Sequence, residues 1–140
     1  MKKLFILILL LVVLFGLIQF IPYGKDHSNP TVLSEPKWDS PATRDVVKAA
    51  CFDCHSNESI WPWYSQVAPV SWLVYTDVIQ GRSRLNFSEW NNQQQDAGEI
   101  IGIINEGEMP PFQYTIIHKN AILNAAQKQA LIAGLTNSLK

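Results

Sequence analysis

Cysteine is scarce in this chain of 140 residues: there are two, Cys51 and Cys54, and both fall within one five-residue stretch. No thiol remains for a structural disulfide or for a second pair of zinc ligands. Charge is sparse as well. Eleven Lys and Arg against 12 Asp and Glu leave a formal net charge of −1, which argues against a nucleic-acid partner. Internal repeats and low-complexity tracts are lacking, and no strand-like alternation flanks the cysteines. Histidine occurs three times and methionine twice, the first methionine being the initiator.

What is present is concentrated in Cys51-Phe52-Asp53-Cys54-His55, which spells Cys-x-x-Cys-His, the attachment signature of a c-type haem. On a helix, residues three apart share a face with Cβ atoms roughly 5–6 Å apart. Both thiols can then reach the vinyl-bearing edge of one porphyrin and form two thioethers. His55 offers an imidazole nitrogen to the iron as proximal ligand. Two other readings stay open on the residues alone. A redox-active dithiol wants the pair at the start of a helix in a βαβ pattern. A zinc site would need distant ligands such as His27 and His118, without the usual finger spacing.

Met1-Lys2-Lys3 precedes an uncharged run from Leu4 to Ile21, interrupted only by Gly16 and Gln19. Eighteen helical residues rise about 27 Å, close to the hydrocarbon thickness of a bilayer. The expectation is a single transmembrane helix within residues 1–23. Lys2 and Lys3 keep its start cytoplasmic, so the rest of the chain lies on the far side. A cleaved signal peptide is the competing reading. Gln19-Phe20-Ile21-Pro22-Tyr23 has no small-x-small cleavage site, however. The expected location is thus the periplasmic face of a bacterial inner membrane, where thioether haem attachment takes place.

Residues 24–39, rich in Gly, Asp, Ser, Asn and Pro, read as a linker. Residues 40–140 form one small domain that needs a staple, which a covalent haem at its centre would supply. Its elements read as helices. Ser40 caps a first helix with Pro41 in its first turn, and Val47, Ala50, Cys51 and Cys54 follow at helical spacing. A second helix begins near Pro69 and stops at Gly81, with Val70, Leu73, Val74 and Val78 inward. Asp96 and Glu99 open a third helix carrying Ile100, Ile101, Ile103 and Ile104 and ending at Gly107, although isoleucine runs also suit strands. Asn124 with Gln127 caps a last helix whose inner face includes Leu131, Ile132 and Leu135. The expected fold class is all-α: a small cytochrome c-like helical domain with long loops around a covalent haem, preceded by one transmembrane helix.

Met109 lies 54 positions after His55, in Gly107-Glu108-Met109-Pro110-Pro111. The prolines stop the preceding helix and display Met109 on a stiff loop, which suits a weak thioether ligand. Elsewhere a lone methionine reads as core filler; beside an attached haem it is the expected distal ligand. His118 is the rival, and a His/His site would have the lower potential. His118 is expected to pack or hydrogen-bond locally, and His27 to be solvated.

Taken together, residues 50–135 resemble the bacterial haem-binding domain family of small membrane-attached c-type cytochromes. The resemblance rests on Cys51-Phe52-Asp53-Cys54-His55-Ser56-Asn57-Glu58, Trp61-Pro62-Trp63-Tyr64-Ser65 and Ala68-Pro69-Val70-Ser71-Trp72. Downstream follow Gly81-Arg82, Leu85-Asn86-Phe87-Ser88-Glu89-Trp90, Gly107-Glu108-Met109-Pro110-Pro111, and Tyr114 with His118. Asn120 departs from it, where proline is expected shortly after the histidine. The resemblance implies one covalent haem c, with Cys51, Cys54 and His55 as attachment and proximal residues and Met109 as the distal position.

Trp61, Trp63, Tyr64, Trp72, Tyr75, Phe87 and Trp90 crowd into thirty residues, and most read as core. Trp63 and Trp72 are the candidates to line the haem. Arg82, in the family-like Gly81-Arg82, is the candidate to hold a propionate. The function expected is one-electron transfer to redox partners that the sequence does not identify, without enzymatic turnover. A haem-based gas sensor or ligand-binding module, a peroxidase-like enzyme and a thiol–disulfide oxidoreductase are the rival classes.

Overall fold

Proline decides where the first helix stops. In the computed structural model, which describes residues 1–92 and 96–139, α1 spans Lys2–Ile18. Pro22 cannot donate into a continuing helix and disfavours helical geometry at Ile21, so the chain turns at Gln19 and Phe20. The expected run from Leu4 to Ile21 is therefore cut short. At 17 residues α1 rises about 25 Å. Among the described residues, no helix is long and apolar enough to cross a membrane. None of the side chains of α1 is buried against the domain.

The segment 24–39 lies along the domain rather than standing off as a tether. Leu33 and Ser34 donate their N–H groups to the Ser88 carbonyl at 2.8 and 3.0 Å, and Trp90 returns a bond to Ser34. Glu35 takes a bidentate pair of bonds from Arg44 and a third from the Trp38 indole. His27, expected to be solvated, stacks on Trp61 at 4.4 Å and accepts from Gln66. Polar composition suggested a free linker, but here the polar groups are spent on the domain.

The domain is all-helical among the described residues, as expected. Ser40 caps α2 (Pro41–Ala50) by accepting from the Thr43 amide, and Val47 and Ala50 are buried. The motif then opens a separate single turn, α3 (Phe52–His55), because Cys51 leaves helical geometry at φ −128°. α4 spans Val70–Arg84 and runs through Gly81, where it was expected to stop. The glycine serves close packing instead: a methyl group there would collide with the Cys54 carbonyl. The isoleucine run forms α5 (Ala97–Glu106), capped by Asp96 and closed by Gly107 in left-handed conformation. A short α6 (Phe112–Ile117), not foreseen, precedes α7 (Ala125–Ser138), which has the expected Asn124/Gln127 capping box.

One core gathers Val47, Phe52, Phe87, Ile100, Ile104, Leu131 and Leu135. It is built from α2, α3, α5 and α7, with Phe87 supplied by the loop after α4. Trp38 from the 24–39 segment and Cys51 pack against it. α4 and α6 lie on the other side of the motif and frame the cleft described next.

Candidate functional site

The motif is anchored by its second and third residues. Phe52 is 1% exposed, pointing into the core beside Phe87. Asp53 accepts from the Ile60 amide at 3.0 Å and from the Tyr114 hydroxyl at 2.7 Å, so it ties the motif to α6. The following loop is clamped just as firmly. Ser56 bonds back to the Phe52 carbonyl, while buried Asn57 joins Thr31, Asn86, Ser88 and Glu89 in one network. Two stretches far apart in sequence, Cys51–Glu58 and Leu85–Trp90, are thereby held together, with the Phe87 amide donating to the His55 carbonyl.

His55 Nδ1 lies 3.1 Å from both the Gly81 and the Leu85 carbonyl oxygens. Carbonyls only accept, so the proton sits on Nδ1, and Nε2 is left with the lone pair. Burial lowers the pKa of His55, and the two backbone bonds offset this only in part. A neutral imidazole with its far nitrogen fixed by carbonyls is the arrangement that orients a metal-ligating histidine.

The thiols behave differently from a redox pair. Burial pushes both Cys51 and Cys54 up to about 12, helped at Cys54 by Asp77 and Asp53. A reactive dithiol needs a depressed thiol, and the all-helical surroundings lack the βαβ frame. A zinc site fares no better, since among the described residues no three His, Cys, Asp or Glu side chains converge.

Beside Cys54 lies a cleft of about 210 Å³. Val70, Leu73, Val74 and Val78, on one face of α4, form its apolar wall, facing Ile60 and Ile117. Its polar side is a chain of contacts. Tyr114 stacks on His118 at 4.1 Å, nearly parallel, and the Tyr64 hydroxyl lies 2.8 Å from His118 Nε2. Burial, then the bond to Asp53, raises the pKa of Tyr114, keeping it a donor. Several large apolar side chains at the cleft, Ile60, Leu73 and Ile117 among them, are open to solvent.

Of the three motif residues only Cys54 lines the cleft; Cys51 packs against the core, His55 Nδ1 is held by the Gly81 and Leu85 carbonyls, and the other expected site residues are spread more widely. Met109 is 39% exposed on the loop between α5 and α6 and does not line the cleft beside Cys54. Trp63, at 79% exposed, sits at the edge of the cleft next to Tyr64 rather than in its wall. Trp72 does not line the cleft; its backbone lies against Gly24, and its indole nitrogen is buried without a partner. Trp61 is the tryptophan that lines the cleft. Arg82, the expected propionate holder, has its donors committed to the Ser56 carbonyl, Ser59 Oγ, Asn29 Oδ1 and the Ser28 carbonyl. It braces the loop after the motif against the 24–39 segment. His118 stacks locally on Tyr114, but its side-chain hydrogen bond reaches Tyr64, far away in sequence, rather than a local partner.

Sequence reasoning passed over Asp53, although it lies inside the motif, and did not see Tyr114 and His118 as a stacked pair. Their spacing of four residues was the available signal.

The family model described as haem-binding domain matches residues 13–137. The chain belongs to the haem-binding domain family. No curated protein and no solved structure matches it. The residues present suit that group. His55 offers a neutral, fixed Nε2, and solvent-exposed apolar side chains at the cleft beside Cys54 would be covered by a flat apolar ligand.

Proposed function

We propose that this haem-binding protein is a monohaem c-type cytochrome that carries single electrons. In this reading Cys51 and Cys54 would form the thioethers, and His55 Nε2 and the Met109 sulfur would hold the iron. The observation that carries it is the pinning of His55 Nδ1 by the Gly81 and Leu85 carbonyls, one residue after Cys54. The haem, when bound, supplies one-electron ferric/ferrous chemistry. The chain supplies the rest: a fixed imidazole, an apolar wall from α4, and a loop network that holds the motif still. Met109 is favoured over His118 because His118 is already stacked on Tyr114 and bonded to Tyr64.

Export and membrane attachment belong to the same reading. The apolar side chains of α1 from Leu4 to Leu17 are exposed to solvent, and Phe20 extends that surface. Lys2 and Lys3 at its start suit a cytoplasmic N-terminus. Redox partners would meet the domain on the periplasmic side.

The test is haem staining of a denaturing gel after co-expression with a haem-attachment system. A coloured band in the native sequence and none in a C51S/C54S variant is expected; a colourless native protein ends the reading. In matured protein, Met109→Ala is expected to abolish the methionine-to-iron charge-transfer band and lower the potential. Carbonate washing of membranes should leave the protein in the pellet.

A ligand-binding haem module is the second reading. The exposure of Met109 outside the cleft favours it, since a weakly held sulfur yields to a gas. Rapid carbon monoxide binding by the reduced protein at neutral pH would select it.

A further inference from the structure

His118 lines the same cleft as Cys54 and has the chemistry to compete for iron, yet its Nε2 is engaged. Three contacts keep it so. The Tyr64 hydroxyl meets Nε2 at 2.8 Å, and the Tyr114 ring lies against the imidazole at 4.1 Å with only 7° between planes. Tyr114 is itself fixed by its 2.7 Å bond to Asp53, inside the attachment motif. Tyr64 stands on a short 3-10 turn, Trp63–Gln66, whose Ser65 is wholly buried and bonded twice to the Pro62 carbonyl. Neither tyrosine can drift far.

Iron coordination needs the lone pair of an imidazole nitrogen in the direction of the metal. The direction of Nε2 is taken by the tyrosine oxygen, whichever of the two atoms donates. Nδ1, the other nitrogen, sits beside the ring's attachment to the chain and offers a shorter reach. Soft thioether sulfur is the weaker contender for ferric iron, so methionine ligation requires that the nearby imidazole be restrained.

We infer that Tyr64 is a positioning residue that sets which second side chain would ligate the iron, by keeping His118 Nε2 engaged so that this role would fall to Met109. The inference rests on the His55/Met109 reading given above. Tyr64 touches neither the iron nor Met109; it acts through His118.

The experiment compares four matured holoproteins: native, Tyr64→Phe, His118→Phe and the Tyr64→Phe/His118→Phe pair. Phenylalanine at position 64 keeps the ring and removes only the hydroxyl, and phenylalanine at 118 keeps the stack on Tyr114. The near-infrared methionine-to-iron band and the midpoint potential are read in each. The native protein is expected to show the band and His118→Phe to keep it, with only a small shift in potential because position 118 lines the cleft. Tyr64→Phe is expected to lose the band and fall to a lower potential, and the double variant to recover both. That recovery separates ligand exchange from general loosening, which a second substitution would worsen.

A Tyr64→Phe protein that keeps its band and potential overturns the inference while leaving His/Met ligation intact. Loss without recovery in the double variant overturns it too. A native protein without the band removes the ligation reading and the inference with it, and a changed spectrum in His118→Phe alone would identify His118 as the native ligand.

Discussion

The backbone of Gly81 rests directly on the carbonyl of Cys54, with no room for a Cβ between them. That contact sets α4 against the attachment motif. It also puts the Gly81 carbonyl within 3.1 Å of His55 Nδ1. One missing side chain therefore serves both the packing of two helices and the orientation of the proximal imidazole.

Gly81→Ala should be costly, because the methyl group would meet backbone atoms that cannot rotate away. A loss of about 1–3 kcal/mol is expected. Gly102, inside α5 with open space where its Cβ would go, makes the control. Gly102→Ala should gain about 0.5–1 kcal/mol from helix propensity. Urea denaturation of both variants checks the pair, and shifts of equal sign would contradict the packing argument.

Arg82→Lys should lower stability by about 2 kcal/mol, since a lysine cannot replace four directed bonds, one to the carbonyl of fully buried Ser56. Residues 24–39 should then be cut sooner in limited proteolysis. A cleavage rate unchanged from the native protein would show that Arg82 does not brace this segment.

Glu35 gives the acid limb of stability a specific contributor. The Arg44 guanidinium, before any other group, holds its carboxyl below the ordinary 4.5. A depressed carboxyl stabilises fully above the unfolded value and loses that contribution as pH falls through the folded one. Glu35→Gln should thus cost about 1 kcal/mol at neutral pH, the pair being partly exposed. The gap to the native protein should close steadily below pH 4.5. Urea midpoints measured across that range decide it; a gap that is constant with pH would rule out the ion pair as its source.

Asn124→Ala removes one half of the capping box at the start of α7, the side-chain oxygen that accepts from the Gln127 amide, and leaves the Asn124 backbone N–H donating to the Gln127 side chain. About 1 kcal/mol should be lost, with the helix otherwise intact by circular dichroism.

Much of the fold was legible because it depends on local chemistry. Ser40, Asp96 and Asn124 each cap the helix expected of them, since a cap needs only its own next three residues. The isoleucine run, ambiguous with a strand, became helix between a capping aspartate and a terminal glycine. Gly81 was misread because a helix-ending glycine and a close-packing glycine look alike until the opposing backbone is known. The surroundings of Arg82 and Trp72 could not be foreseen for a similar reason. Ser28 and Asn29, which bond Arg82, and Gly24, which meets the backbone at Ser71 and Trp72, lie in a segment whose composition suggested a linker.

The cysteine pair, the histidine beside it and the helical class follow from residue order, because attachment chemistry and capping act over a few positions. Three-dimensional packing alone decided that His55 is pinned through Nδ1, that His118 is held by Tyr64, and that Met109 lies outside the cleft. Those relations join residues dozens of positions apart, and no local rule of spacing or propensity reaches so far.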